Sequence, residues 1–495
     1  MWPSEGSARQ AAVIDVGSNS VRLVTYRLEG RAIWTVFNEK ALAGLGRDLP
    51  ATRRLSREGV ETALSILRRF RVVLDGWRPE DIFVVGTAAV REAADGPAFV
   101  QRVAQETGFA IRVLTGEEEA RYAALGVLAG EPEADGVVGD LGGSSLELIP
   151  VGRGAPGAGL TLPLGPFALG APRPLDAAAA RRTISAKLAP LARNFRSERF
   201  YAVGGAWRNL ALLHMALTDY PLGIAHQYAI SRTQALAVAR FVEQQSRQSL
   251  ERIEGVSKKR VDTLPHAALV LEALIEHLDI QKVVISAYGV REGLLLETMA
   301  PEIRAQDPLV QGCEALADRG GLPTELGAAL EAWLSPAFAR LEPVFEGRDA
   351  TLLAAACRLA DLGARLHPDH RADLAFDQVL RAPIAGMDHC ERTFLACAAF
   401  SRHTAQKETP DREAVARILS PERRQRARAL GAAVRLGADL SGRNPALLAA
   451  SRLRIGAGRL QLTAEPDARD LLLGEQTTKR AAALAQALRL KFEVA

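Results

Sequence analysis

Cysteine is scarce in this chain of 495 residues: there are four, Cys313, Cys357, Cys390 and Cys397, and no two form a Cys-x-x-Cys pair. That pattern speaks against a disulfide framework and a zinc site of standard spacing, and a reducing, cytoplasmic setting is expected. The opening MWPSEGSARQ has no cationic stretch leading into an apolar one, and no apolar run of about 18 residues, the length that spans a bilayer, appears further on. Neither a secretory leader nor a membrane partner is expected. An excess of one charge is missing too, since 62 Lys and Arg against 58 Asp and Glu leave a net +4, too little to hold nucleic acid by general attraction. Any anion site must be local. The chain has no Gly-x-x-x-x-Gly-Lys-Ser/Thr loop and no Gly-x-Gly-x-x-Gly after its first strand, so P-loop and Rossmann architectures are unsupported.

What the chain does have is apolar residues, 48% of the total, in a length that calls for roughly two to four domains. Short β-rich runs at Ala11 to Val16, Val21 to Leu28 and Arg31 to Phe37 are bounded by turn residues, as antiparallel neighbours would be. A helical face then recurs at Val60, Leu64, Leu67 and Phe70. Buried strands at Ile82 to Val85 and Ile111 to Leu114 alternate with helix candidates, the pattern of an α/β domain. A second half follows with a helix near Ala177 to Asn194, a strand at Phe200 to Val203, a long helix from about Lys259 to Leu278 and a strand at Lys282 to Ser286. From Asp307 to Leu436 the pattern is mainly helical, and the end alternates around Arg452 to Leu462 before a closing helix at Thr477 to Leu488. Four domains are expected, at residues 1–130, 131–304, 305–436 and 437–495.

One frame occurs twice. Asp15, Gly17, Ser20, Val21 and Leu23 fall on Asp140, Gly142, Ser145, Leu146 and Leu148, preserving Asp-x-Gly-x-x-Ser between two strands. Glycine in such a turn lets backbone N–H groups converge on a phosphate oxygen, and Ser18, Asn19, Ser144 and Ser145 add side-chain donors. Either turn alone could be an ordinary small-residue turn; the repetition argues for a shared task. Each is entered through an aspartate ending an apolar strand, where an ionised carboxylate needs donors or a cation. Asp15 and Asp140 could hold Mg²⁺ directly or through water, or merely accept turn N–H bonds. Two residues after the turn serine the halves diverge to Arg22 and Glu147, one able to neutralise phosphate, the other to bind metal or orient water. Glu117, Glu118 and Glu119 open a helix after Gly116, where the macrodipole favours acids in any case; one of them could act as general base on an attacking water.

Five segments together resemble the exopolyphosphatase and guanosine pentaphosphate phosphohydrolase (Ppx/GppA) family: IDVGSNSVRL, GTAAVREA, TGEEEARYAALGV, GDLGGSSLEL and YGVREGLL, in order over roughly the first 300 residues. The resemblance implies an α/β fold of two duplicated actin- and sugar-kinase-like (ribonuclease H-like) domains, a mainly helical HD-like domain and a small α+β cap. It makes Glu119 the base, with Glu118 the fallback. Asp140 and Glu147 fall on the family's acidic pair for Mg²⁺ and catalysis, Gly17, Ser18, Asn19 and Ser20 with Gly142, Gly143, Ser144 and Ser145 on its phosphate loops, and Arg91 on its phosphate-facing arginine. Ser144 departs from the usual third glycine. The motifs Val203 to Arg208 and Lys258 to Asp262 also match, although Trp207 and Arg208 are better read as packing and helix-surface residues, and Lys258, Lys259 and Arg260, which could bind the outer part of an anionic chain, as a solvated helix start.

In the helical domain Ala360 stands where an HD enzyme has a metal-binding histidine, so no second catalytic centre is expected despite His367, His370, His389 and His403. Its implied work is to wall a polyphosphate channel and support a homodimer; Arg423, Arg424, Arg426 and Arg428 could contribute or form an exposed helix face. The implied activity is exopolyphosphatase, releasing phosphate from the end of linear polyphosphate with Mg²⁺ or another divalent cation. Alternatives are removal of the γ-phosphate of guanosine pentaphosphate and non-catalytic sensing of guanosine tetraphosphate or polyphosphate.

Overall fold

The computed structural model describes residues 8–171, 173, 175–253, 256–318 and 325–494. The start MWPSEGS lies outside them, as does the Lys259 side chain. Contacts divide the chain into two units, one of Ser7–Leu28 with Ile33–Arg304, the other built from Glu29–Ala32 and Ala305–Ala495. Among the described residues no helix is long and apolar enough to cross a membrane.

The larger unit contains two sheets of one plan. The first joins β1 (Arg9–Val16), β2 (Ser20–Glu29), β3 (Ala32–Leu42), β4 (Asp81–Gly86) and β5 (Arg112–Val113) in the order β3-β2-β1-β4-β5. The second joins β6 (Gly136–Leu141), β7 (Leu146–Gly152), β8 (Ala155–Pro156), β9 (Leu160–Leu162), β10 (Arg199–Val203), β11 (Ala229–Ser231) and β12 (Lys282–Ile285), ordered β11-β12-β10-β6-β7-β8 with β9 also on β7. In each, a central strand pairs antiparallel with the next strand and parallel with a later one: β1 with β2 and β4, β6 with β7 and β10. The architecture is therefore mixed α/β with duplicated ribonuclease H-like sheets and a helical C-terminal region.

Burial explains why β1 reads as an unbroken apolar run. Ala12, Ile14 and Val16 enter one core while Ala11 and Val13 enter another, so both faces of the strand are covered. Two helices fill the inner faces, Gly116–Gly130 and Val290–Thr298. Their crossing is close because glycines meet backbone there: a Cβ on Gly293 would stand 1.9 Å from the Tyr122 carbonyl oxygen, and one on Gly126 2.1 Å from that of Gly289. The Val290–Thr298 helix thus shares a core with β1, β2 and β4 although it comes last in this unit.

Three elements differ from the sequence expectation. The helix expected from Lys259 starts at Leu264, with Pro265 in its first turn, and Lys258–Arg260 forms a separate 3-10 turn. The helix from Ala177 ends at Leu188, where Pro190 opens another 3-10 turn. In the smaller unit the alternating stretch around Arg452 to Leu462 forms a hairpin of β13 (Ser451–Gly456) and β14 (Arg459–Ala464), and β15 (Lys491–Val494) adds a parallel strand after the closing helix. Four residues carry too little periodicity to announce it. The rest of this unit is helical, with His389–His403 buried along most of its length and Pro421–Leu440 packed beside it.

Candidate active site

The two Asp-x-Gly-x-x-Ser turns have one geometry. Gly17 N–H donates to Ser20 O at 3.0 Å and Gly142 N–H to Ser145 O at 3.0 Å. In the strands that flank them Asp15 lies opposite Arg22 and Asp140 opposite Glu147, at the same register. Opposed positions share a face with their Cβ atoms about 5 Å apart, so each aspartate has a fixed neighbour. The turns also face each other, since a Cβ on Gly143 would stand 3.2 Å from Ser18 Cβ. Between them lies a cavity of about 480 Å³ lined by Asp15, Gly17, Ser18, Asn19, Ser20, Arg22, Glu119, Asp140, Gly142, Gly143 and Ser145. Ser144, Glu147 and Arg91 stand behind this lining. None of Gly17, Gly142, Gly143 or Ser144 has a positive φ, so close approach, not left-handed backbone, is what these glycines supply.

Glu118 and Glu119 are adjacent and differently employed. Glu118 closes a capping box with Thr115, its Oε2 accepting the Thr115 N–H at 2.9 Å, and pairs with Arg112. Those bonds hold its carboxyl below the usual range. Glu119 instead turns into the cavity, 7% exposed, with Arg91 Nη1 donating to its Oε2 at 2.9 Å and to Leu114 O at 2.9 Å. Burial raises its carboxyl; Arg91 opposes the rise, and Asp140 and Asp15 add to it. Arg91 therefore meets the candidate base here and supports it from the rear.

On the second wall two acids stand together, and Arg291 and Arg208 only partly offset the effect on Asp140. Burial, then Asp15, push Asp140 up to about 7. Glu147, 1% exposed, is raised by burial and then by Glu119 and Asp140, and its Oε1 has no hydrogen-bond partner. Buried unpartnered carboxylate oxygens fit a cation. Among the described residues no group of three His, Cys, Asp or Glu stands close enough to hold a metal by itself. Asp140 and Glu147 are the residues that would hold Mg²⁺. Asp15 already has a cation, Arg291 Nη1 at 3.2 Å.

Arg291, Arg208, Arg260 and Lys40 also line the cavity, although periodicity does not turn their side chains toward it. Arg208, expected on a helix surface, points inward and donates from Nη2 to Ala287 O at 3.2 Å, because the helix it sits on starts at the cavity floor. Trp207 beside it packs as expected, fully buried with Nε1 donating to Ala267 O at 2.9 Å. Arg260, expected in a solvated helix start, is turned into the cavity against Gly205 by the 3-10 turn. Lys40 is exposed by area at the end of β3, yet the walls around it and then Arg260 and Arg22 push its ammonium down to about 7. The same causes, burial first and then Arg291 and Arg208, lower Arg22 to about 10, and its Nε donates to Asn38 Oδ1 at 2.9 Å. The available signal for Arg291 was its place in YGVREGLL.

A model of the Ppx/GppA phosphatase family matches residues 24–302. The chain belongs to this family. A second model, described as exopolyphosphatase, C-terminal, matches residues 328–494. Among curated proteins the family member is 28% identical over 338 residues to a guanosine-5'-triphosphate,3'-diphosphate pyrophosphatase of Vibrio vulnificus (strain YJ016), a match spanning 65% of this chain and 65% of that protein's length. Among solved structures it is similar to an exopolyphosphatase from Cytophaga hutchinsonii (22% identity, TM-score 0.55, covering 59% of this chain and 98% of that one). It is also similar to the Aquifex aeolicus family member (23% identity, TM-score 0.52, covering 58% and 96%). Those two likenesses concern the fold.

In the helical unit the histidines are dispersed. His403 Nε2 lies 2.8 Å from Leu362 O, His367 and His370 lean on each other with ring centres 5.8 Å apart, and His389 is buried in the first turn of its helix. Of the four arginines, Arg423 Nε donates to Val344 O at 3.0 Å with its guanidinium 4.2 Å from the Phe345 ring centre, and Arg426 Nη2 donates to Glu342 O at 2.8 Å.

Proposed function

We propose that the cleft hydrolyses the terminal phosphoanhydride of linear polyphosphate. The observation that carries this is Glu119, a buried carboxyl raised above its ordinary range and placed in a cavity with two donor-rich turns. The terminal phosphate would sit between the Gly17–Ser20 and Gly142–Ser145 turns, with Arg22, Arg208 and Arg291 balancing its charge. Glu119 takes a proton from a water, the water oxygen bonds to the terminal phosphorus, and the bridging P–O bond breaks toward the shortened chain. Inorganic phosphate leaves. Arg91 orients the base from behind, and Asp140 and Glu147 provide the carboxylates for Mg²⁺. When bound, that ion adds Lewis-acid charge on phosphate oxygens.

Polyphosphate is favoured over a nucleotide by the C-terminal match over residues 328–494, whose description names exopolyphosphatase. For that region we propose descent from the helical fold of HD phosphohydrolases, with Ala360 in the ligand's place, and a role in holding the polymer and a homodimer. The second reading, γ-phosphate removal from guanosine pentaphosphate, is favoured by the similarity to the Vibrio vulnificus protein. The five cationic side chains of the cavity suit either chain of phosphates. Release of phosphate from long-chain polyphosphate and from guanosine pentaphosphate, each with Mg²⁺, separates the two by kcat/KM. Glu119→Gln should lower kcat by about 10²–10⁴-fold with KM little changed, the range of general-base removal; unchanged release would remove Glu119 from the mechanism.

A further inference from the structure

Behind Arg291 lies a buried polar chain that the reaction above does not use. Tyr26 Oη, on a residue 1% exposed, donates to Glu292 Oε1 at 2.7 Å. Glu292, 5% exposed, uses its other oxygen to accept the Gly289 N–H at 2.9 Å, capping the Val290–Thr298 helix. Its Oε1 also faces Arg291 Nε at 4.0 Å, an ion pair beyond hydrogen-bond length. Arg291 in turn reaches Asp15 Oδ2 with Nη1 at 3.2 Å and lines the cavity. The order from core to cavity is Tyr26, Glu292, Arg291, Asp15.

A helix cap alone does not need this arrangement. A neutral glutamine at this third helical position reaches the N-cap N–H equally well, whereas an acid buried this deeply is costly unless a cation and donors answer it. Here the cation is Arg291, and the tyrosine hydroxyl fixes which oxygen faces it. A free arginine side chain has rotamer entropy to lose on being held. Carboxylates on both sides, Glu292 at the rear and Asp15 in front, confine it before any phosphate arrives. Tyr26 on β2 and Asp15 on β1 belong to the first half of the repeat, and Arg291 and Glu292 to the second.

We propose that Glu292, oriented by Tyr26, is a positioning residue that acts through Arg291 to preset the guanidinium for the terminal phosphate. This rests on the hydrolytic reading of the cleft. The test is a pair of double-mutant cycles on kcat/KM for polyphosphate with Mg²⁺. Glu292→Gln keeps an amide oxygen for the Gly289 N–H, and Tyr26→Phe removes one hydroxyl. We expect about 100-fold loss for Arg291→Ala, about tenfold for Glu292→Gln and about threefold for Tyr26→Phe, with the last two vanishing in the Arg291→Ala background. Equal factors with and without Arg291 would show that Glu292 and Tyr26 serve the fold alone, and the proposal falls. Should Glu292→Gln lose its cooperative thermal transition, the Tyr26→Phe cycle decides. The same cycles run on calorimetric binding of tripolyphosphate without metal: coupling there with no phosphate release by the unaltered protein keeps the positioning role and removes the hydrolytic reading.

Discussion

Strands β1 and β6 carry the same turn at the same register, yet Asp15 faces Arg22 and Arg291 while Asp140 faces Glu147. In the first wall the carboxylate is paired, Asp15 with Arg291, and Arg22 bonds Asn38, while Arg291 Nε alone lacks a hydrogen-bond partner. The second wall sets two carboxylates side by side, half-buried Asp140 and buried Glu147, and Glu147 Oε1 has no partner. A duplicated backbone can thus supply two identical phosphate cradles while one strand position divides the labour between them. The uncompensated negative charge of the second wall, in a site that also holds Glu119, is what ties that wall to a cation.

The largest effects should fall on the acidic wall. Glu147→Gln is expected to lower kcat by about 10³-fold, as loss of a group that stabilises transition-state charge does. In the metal-free protein, at a pH high enough to ionise this raised carboxyl, it should raise stability by about 1 kcal/mol or more, since a buried unpaired charge is gone. Asp15→Asn should do the opposite, costing about 1–3 kcal/mol because Arg291 loses a charged partner. Urea unfolding of both variants in chelator measures the two signs; equal signs would end the distinction between the walls.

Acidity separates the walls as well. Asp140 rises from 3.8 to about 7 on folding, chiefly through burial, and the raised Glu119 and Glu147 add to it in direction. A raised folded value means that the folded state binds protons more tightly than the unfolded chain. The stabilisation is then full below the unfolded value and is lost as pH rises through about 7. Metal-free protein should lose a few kcal/mol between about pH 4 and 8, at roughly 1.4 kcal/mol per pH unit for each extra proton that the folded state holds, and added Mg²⁺ should flatten the curve. For catalysis the sign reverses, because Glu119 must be ionised to accept a proton: kcat/KM should fall up to about tenfold per pH unit on the acid side.

The strand–turn–strand frame was legible because it is local: two apolar strands, a small-residue turn and a serine fit in about ten residues, and repetition made it conspicuous. The cationic lining was not. Arg291 lies 276 residues from Asp15, and nothing in the periodicity of Val290–Thr298 marks which polar side chain turns toward a distant strand. Arg208 and Arg260 follow ordinary helix-surface patterns, and only the packing of Trp207 and the 3-10 turn at Lys258–Arg260 aim them inward. Glu118 and Glu119 could be told apart only once the Arg112 and Arg91 partners were in place. The Pro265 start was readable in principle, since proline favours a first helical turn.

Smaller effects test the cationic wall. Arg22→Ala removes a cavity cation whose strand partner Asp15 keeps Arg291, so KM for polyphosphate should rise about tenfold, the scale of one charge-assisted bond, with kcat changed less. A kcat loss as large as that of Glu147→Gln would mean that the walls do not divide the work.

The smallest effect is expected at Ser144, where the second turn departs from the family's glycine. A serine would be costly there only if the position required left-handed backbone, and Ser144 has no positive φ. Its hydroxyl is buried and without a partner, and Ser144 is not among the residues that line the cavity, as Ser145 is. Crowding comes instead from Gly165, where a Cβ would stand 2.4 Å from the Ser144 carbonyl carbon. Ser144→Gly should therefore leave kcat/KM within about twofold and stability within about 1 kcal/mol, the gain of removing a partnerless hydroxyl offset by glycine's backbone entropy. A tenfold fall in kcat/KM would make that hydroxyl a phosphate ligand after all, and the two turns would then differ in grip as well as in charge.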